Sequence, residues 1–376
     1  MRGITHAATR TQTLSTPTAP ALPVGLIGFG YAGRTFHAPL LQAVPGLRIA
    51  AVASRQAGAV HEALGPGVEV TEAPEALLAR PDLRLVVIAT PNDSHHPLAL
   101  AALRAGKAVV IDKPMALDAT QAAELAAEAQ ARGQLLSVFH NRRWDGDFLA
   151  VKALLASGEL GRVTQVRMHF DRYRPLVRAR WREGDTTAGG LWIDLGPHLI
   201  DQALQLFGEP QAIQADIAAQ RDDAAGDDWF SATLRYACGL RVTLSASTLA
   251  ALPGPRFLLQ GTRGSYQRHG LDRQEDVLKT GLRPGLPGWE AATAEPPGEW
   301  VTAADPAHHD DLQRKAWPTP AGRYASYYIA VRDALLGHGP NPVDPAQSLA
   351  VMQWLDRGRE SAMLRREIEA TDEPAT

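Results

Sequence analysis

The sequence predicts a two-domain α/β protein: a parallel sheet covered on both faces by helices, then an α+β unit with an open, mainly antiparallel sheet. Three observations predict it. The chain has 376 residues, more than a single hydrophobic core ordinarily serves. Up to about residue 145, short continuous apolar runs alternate with helical spacing, as strands buried on both faces require. Beyond that point the apolar residues fall on every second position, which suits a sheet with one covered face.

The elements follow in order. Residues 24–30 (VGLIGFG) read as a buried strand, and 31–44 as a helix through Phe36, Leu40, Leu41 and Val44, stopped by Pro45-Gly46. Further strands fall at 47–54, 83–90, 108–112 and 135–139, with helices over about 96–105 and 118–132. Period-two segments occupy 163–170, 212–219, 230–236 and 240–246, interrupted by a helix at 191–207. The Gly/Pro-rich stretch 281–298 reads as a long loop. Helices near 322–336 and 345–365 close the chain, the last expected to return to the first domain. The domains are then 23–145 and 146–366, between a disordered tail at 1–22 and a flexible tail at 367–376. No internal repeat is visible.

Composition excludes several functions. The net charge is −3 with both signs mixed, so no basic stripe suggests nucleic acid and no polybasic cluster suggests a membrane surface. Cys238 is the only cysteine, which rules out a disulfide within the chain and fits a reducing compartment. No apolar run approaches the roughly 18 residues that span a bilayer. A cytoplasmic protein is expected. The acid-free segment 1–21 reads as a disordered tail in preference to a transit peptide. No metal site is expected, because His95-His96 and His308-His309 lack zinc-ligand spacing and company. Asp222-Asp223 and Asp227-Asp228 read as solvated turn residues.

Gly28-Phe-Gly30-Tyr-Ala-Gly33 is a G-x-G-x-x-G directly after a buried strand and at the opening of a helix. In that context it is a dinucleotide-binding turn of the Rossmann type. Gly28 permits the tight turn, Gly30 leaves room for a pyrophosphate, and Gly33 lets helix and strand pack closely. The helix N-terminus offers free N–H groups to the phosphates. An acid about 20 residues on would select NAD, yet the window 49–57 (IAAVASRQA) has none and offers Ser54 and Arg55 instead. A guanidinium and a hydroxyl suit a 2′-phosphate, so NADP is expected, with NAD the alternative.

Lys113 ends the strand 108–112, where open α/β sheets bind ligands, and Pro114 follows it, so a cis bond is within reach. A lysine there can hold a substrate hydroxyl or share its proton. Asp194 and His198 are four residues apart at the start of the 191–207 helix and share a face if the helix is regular, though Gly196-Pro197 can distort it. A carboxylate beside an imidazole can make a general base. Each residue alone reads equally well as surface, cap or core.

Taken together these pieces resemble the Gfo/Idh/MocA family of glucose–fructose and inositol oxidoreductases over about residues 23–366. The resemblance rests on the glycine turn, Thr90-Pro91-Asn92, the Lys113-Pro114 step and the Asp194-x-x-x-His198 pair. It implies that Lys113 contacts substrate and cofactor and that Asp194 and His198 form the acid/base pair. One departure is visible: Asp112 stands where the family usually has Glu. The runs 33–40 (GRTFHAPL), 140–145 (HNRRWD) and 174–183 (RPLVRARWRE) look like the family's NADP-dependent scyllo-inositol dehydrogenase branch. Cofactor contacts are expected from Gly28, Gly30, Tyr31, Ala32, Gly33, Ser54 and Arg55. Thr90, Pro91, Asn92, His95, Asp112, Lys113, Asn141 and Arg142, or Arg143 in its place, complete that set. Tyr173, Arg174, Trp181 and Arg182 are expected to line a hydroxyl-rich pocket with Lys113, Asp194 and His198. The expected activity is hydride transfer between the nicotinamide and a CH–OH or ketone carbon of a polyol or sugar. The rivals of the same fold are a nicotinamide-using glycoside hydrolase and a non-catalytic sensor. The open sheet face is read as an aggregation liability, buried in a homodimer or homotetramer.

Overall fold

The structure, a computed structural model, describes residues 20–178, 183, 188–303 and 310–371. Its first sheet comprises β1 (Leu22–Ile27), β2 (Leu47–Ala53), β3 (Glu69–Thr71), β4 (Leu85–Ile88), β5 (Ala108–Asp112) and β6 (Leu136–Phe139). The strands lie in the order β3-β2-β1-β4-β5-β6 and all pairs are parallel. β4 and β5 read Leu-Val-Val-Ile and Ala-Val-Val-Ile-Asp with each residue buried, because helices cover both faces. The winding reverses between β1 and β4, and the crevice left there is the ligand site of such sheets. β3 and the helices Ala57–Leu64 and Pro74–Leu78 escape the sequence reading. They are short, mostly exposed and carry no clear period.

The second sheet has nine strands: β7 (Val163–His169), β8 (Ala212–Ala218), β9 (Trp229–Arg235), β10 (Arg241–Ser247), β11 (Phe257–Gly261), β12 (Gly264–Arg268), β13 (Gly298–Ala303), β14 (Leu312–Trp317) and β15 (Ile368–Glu369). Their order is β14-β13-β12-β11-β7-β10-β9-β8-β15, antiparallel except for β7 beside β10. In β9 and β10, Phe230, Ala232, Leu234, Val242, Leu244 and Ala246 turn inward. The helix Leu191–Phe207 packs there, with Trp192 edge-on to Phe230 at 4.9 Å. The open face carries Gln214, Ser231, Thr233, Thr243 and Ser245.

Two expectations need correction. Residues 367–371 are no flexible tail: β15 pairs with β8, Ile368 is fully buried, and Arg235 holds Glu367 at 2.9 Å and Glu369 beside it. One apolar residue among charges leaves no period to read. The stretch 281–298 contains the helix Trp289–Ala292, anchored by buried Trp289, and ends in β13. The closing helix Pro345–Leu364 does return to the first domain, where Asp356 accepts from the Ala119 backbone N–H at 2.8 Å. It also touches the second domain, through Trp192 Nε1 donating to Leu355 O at 3.1 Å. Among the described residues no helix is long and apolar enough to cross a membrane.

Candidate active site

A cavity of about 890 Å³ opens at the carboxyl ends of the first sheet's strands and is closed opposite by the second domain. The glycine turn forms one end. Gly28 has φ +95°, and a side chain there would meet the Ala89 carbonyl. A side chain at Gly33 would run into the Gly28 carbonyl. Gly30 differs: a Cβ there would meet nothing within 4 Å, so this position faces open space. The three glycines thus serve turn, opening and close packing, which fits a pyrophosphate. Ser54, Arg55 and Gln56 line the ribose end after β2. Glu72, beyond β3, gives that end one carboxylate.

Lys113 stands at the end of β5, and its bond to Pro114 is cis. Its ammonium donates to the backbone oxygen of Asp194 at 2.8 Å and to Asp194 Oδ1 at 2.9 Å. Asp194 and His198 come from the helix Leu191–Phe207, which starts after Gly190 (φ +92°) and runs on through Pro197. Asp227 accepts the Trp192 N–H at 2.6 Å and so caps this helix start. His198, 5% exposed, lies stacked on Phe170 with ring centroids 6.3 Å apart. The three residues line one cavity, but the expected Asp194–His198 hydrogen bond is absent. Asp194 is drawn to Lys113, and His198 Nδ1 is buried without a hydrogen-bond partner.

The local electrostatics keep these groups apart in charge. Burial, then the Lys113 and Arg142 cations, pushes the His198 imidazole well below its usual range, so it is neutral at pH 7. Burial opposes ionisation of Asp112, but His37 (Nε2 3.7 Å away) and Lys113 outweigh it and bring its carboxyl down to about 2. Burial, offset only in part by Asp201, takes His140 to about 4.

A stability prediction follows from His140 and His198. Their folded pKa values lie below the ordinary histidine value, so the unfolded chain binds protons first as pH falls. Stability is therefore full above about pH 6.5 and declines below it, His140 accounting for about 3 kcal/mol by pH 4. Asp112 adds a loss only between about pH 4 and 2. Urea midpoints at pH 7 and pH 5 should show the decline, and His140→Gln should shrink it while the His198 part remains; equal midpoints would contradict the buried-neutral assignment.

The remaining expected residues divide. Tyr31, Ala32, Thr90, Pro91, Asp112, Asn141, Arg142 and Arg174 line the cavity. Tyr31 donates to Glu275 at 2.7 Å, and the Arg142 guanidinium is held by Asp145 at 3.1 Å and Glu275 at 2.9 Å. Asn92 and His95 stand behind the cavity wall, outside its lining. Asn92 donates to Ala188 O at 2.9 Å, and the buried His95 ring meets Pro114 O at 2.7 Å and Thr90 O at 3.0 Å. Both brace the loops that carry Thr90 and Lys113. Arg143 turns away to Asp201 at 2.6 Å. Tyr173 is 61% exposed and outside the cavity. Trp181, Arg182, His308 and His309 lie outside the described residues.

Sequence reasoning missed Arg172, Arg221, Asp228 and Glu275, all at the cavity. Asp228 is no solvated turn residue: it is buried and receives Arg221 Nε at 2.8 Å. Arg172 was recoverable, since strand parity puts it on the side of Phe170 and Arg174 and leaves Tyr173 on the other.

An opened glycine turn facing a lysine, an aspartate and a histidine across one cavity defines an NAD(P)-binding oxidoreductase. Residues 22–140 match the model of the oxidoreductase family with NAD-binding Rossmann fold, and 148–267 match the GFO/IDH/MocA C-terminal domain. The chain belongs to the Gfo/Idh/MocA family. It is 46% identical to the oxidoreductase YdgJ of Escherichia coli over 91% of this chain and 96% of that one. It is 35% identical to scyllo-inositol 2-dehydrogenase (NADP(+)) IolW of Bacillus subtilis, over 92% and 95% respectively. A solved Yersinia pestis structure superposes with TM-score 0.88 at 44% identity, covering 94% of this chain and 99% of its own.

Proposed function

We propose that this protein is an NADP-dependent dehydrogenase acting on a CH–OH group of a polyol or sugar such as an inositol. The observation that carries the reading is the Lys113 ammonium, 2.9 Å from Asp194 and in one cavity with His198 and the glycine turn. The nicotinamide supplies the acceptor for the hydride that leaves the alcohol carbon. Gly28, Gly30 and Gly33 would hold its pyrophosphate, with Ser54 and Arg55 at the 2′-phosphate. Lys113 holds the substrate oxygen and stabilises the negative charge that develops on it. His198, neutral at pH 7, takes the hydroxyl proton, and Asp194 fixes the Lys113 ammonium. Support for NADP comes from the acid-free window 49–57 and from the named activity of the Bacillus relative.

The test is a panel of inositols, aldoses and keto sugars with NADP and NAD in parallel. Net NADPH accumulation on a polyol or sugar, faster than NADH, is the expected result. Sugar released from a glycoside without net reduction would make the protein a hydrolase, and binding without turnover would make it a sensor.

A further inference from the structure

The cavity wall beside Lys113 carries a cation that the chemistry above does not use. Arg172 lies just past β7, where the backbone N–H groups of Phe170, Arg172 and Arg174 bond to Ser245, Ser247 and Thr248. The extended run therefore continues beside β10, with Phe170 and Arg172 facing inward. The Arg172 guanidinium stacks over Phe170 at 4.9 Å, the ring that also carries His198. Its Nη1 lies 3.8 Å from Asp194 Oδ2, too far for a hydrogen bond. Among the described residues this guanidinium makes no hydrogen bond. Two of the other cavity arginines are committed: Arg142 to Asp145 and Glu275, Arg221 to Asp228 and Glu183; Arg55 lies at the far, ribose end of the cavity. A stacked fork of five donors without a hydrogen-bonded protein acceptor is prepared for a ligand.

The neighbours specify which ligand. Lys113, Asp194 and Arg172 follow one another as donor, acceptor and donor. A hydroxyl both donates and accepts, so two hydroxyls on adjacent carbons match this row. Each would accept from a cation and donate to the Asp194 carboxylate between them. A ligand carboxylate only accepts, and it would bring a second negative charge against Asp194. We propose that Arg172 is a specificity-determining residue that binds the hydroxyl on the carbon next to the reacting one. The site thus selects uncharged vicinal diols over isolated alcohols and sugar acids. This rests on the alcohol-oxidation reading above.

The experiment compares wild type with Arg172→Lys, which keeps charge but loses the fork, and Arg172→Gln, which loses both. Probes are D-glucose, 2-deoxy-D-glucose and D-glucuronate, and myo-inositol beside its monodeoxy analogues. NADPH formation gives kcat and KM, and thermal shift with NADP present gives affinity whether or not turnover occurs. Wild type should favour the vicinal diol at least tenfold over its deoxy partner and over the acid. Both variants should raise KM for the diol at least tenfold with kcat within threefold, and that preference should fall below threefold. NADP affinity and melting temperature should stay unchanged. Variants that keep the preference, or weaken diol and deoxy probes equally, overturn the role of Arg172 while leaving the dehydrogenase reading intact. Arg172-dependent diol binding without turnover by any variant sinks the dehydrogenase reading and keeps the role. No binding of any probe to wild type overturns the role.

Discussion

His198→Ala is expected to lower kcat for alcohol oxidation by about 10²- to 10⁴-fold, the usual contribution of a positioned acid–base group, while leaving NADP binding nearly intact. The residues proposed to hold the cofactor's phosphates, the glycine turn and Ser54-Arg55, follow strands β1 and β2, whereas His198 comes from the second domain. His198→Gln is the sharper control, because an amide fills the space and hydrogen-bonds but cannot take a proton. It should lose as much turnover as alanine does. The pH profile gives an independent reading. A base must be unprotonated to act, and His198 titrates well below the usual histidine range. Oxidation should therefore remain limited by other steps through the ordinary histidine range, about pH 6.5, and fall only in more acidic buffer. Initial rates from pH 5 to 8, with NADPH affinity by fluorescence, check both parts. If either variant keeps kcat within a few-fold of wild type, the base is another group, and Asp194 is the first to examine.

How far the sequence reached depends on how local each signal was. Buried strands of the first sheet were legible because Leu-Val-Val-Ile and Ala-Val-Val-Ile have no other home in a protein of this size. The glycine turn was legible because its three roles are matters of backbone space within six residues. Lys113, Asp194 and His198 were legible as a set only through resemblance, since their convergence spans two domains. Asp194 and His198 make no direct hydrogen bond, and the reason is physical. Four-residue spacing puts Asp194 and His198 on one helix face, yet the Lys113 ammonium offers the carboxylate a charged donor, which a neutral imidazole cannot match. Half-buried Asp227 and buried Asp228 failed similarly: what engages them is the start of the helix Leu191–Phe207 and the Arg221 side chain, neither of which a local window includes. Tyr173 failed against a rule available in the sequence, the two-residue alternation of a strand.

Lys113→Met should cost about 10²- to 10³-fold in kcat, the usual effect of removing one donor from a developing oxyanion. It should also destabilise the protein. Lys113 and Asp194 have side chains 10% and 18% exposed, so their ion pair is largely desolvated. Removing the cation leaves a carboxylate in that position, at a cost of about 1–3 kcal/mol after allowing for its residual contact with water. Asp194→Asn in the Lys113→Met background removes the carboxylate charge, left facing Arg172 at 3.8 Å, and should restore part of that stability without restoring turnover. The pair is therefore expected to be non-additive in stability. A double-mutant cycle read by urea unfolding and by kcat separates the two roles of the ammonium. Additive stability losses would mean that Lys113 and Asp194 do not share their charge. Full turnover in Lys113→Met would mean that the substrate oxygen is held elsewhere in the cavity.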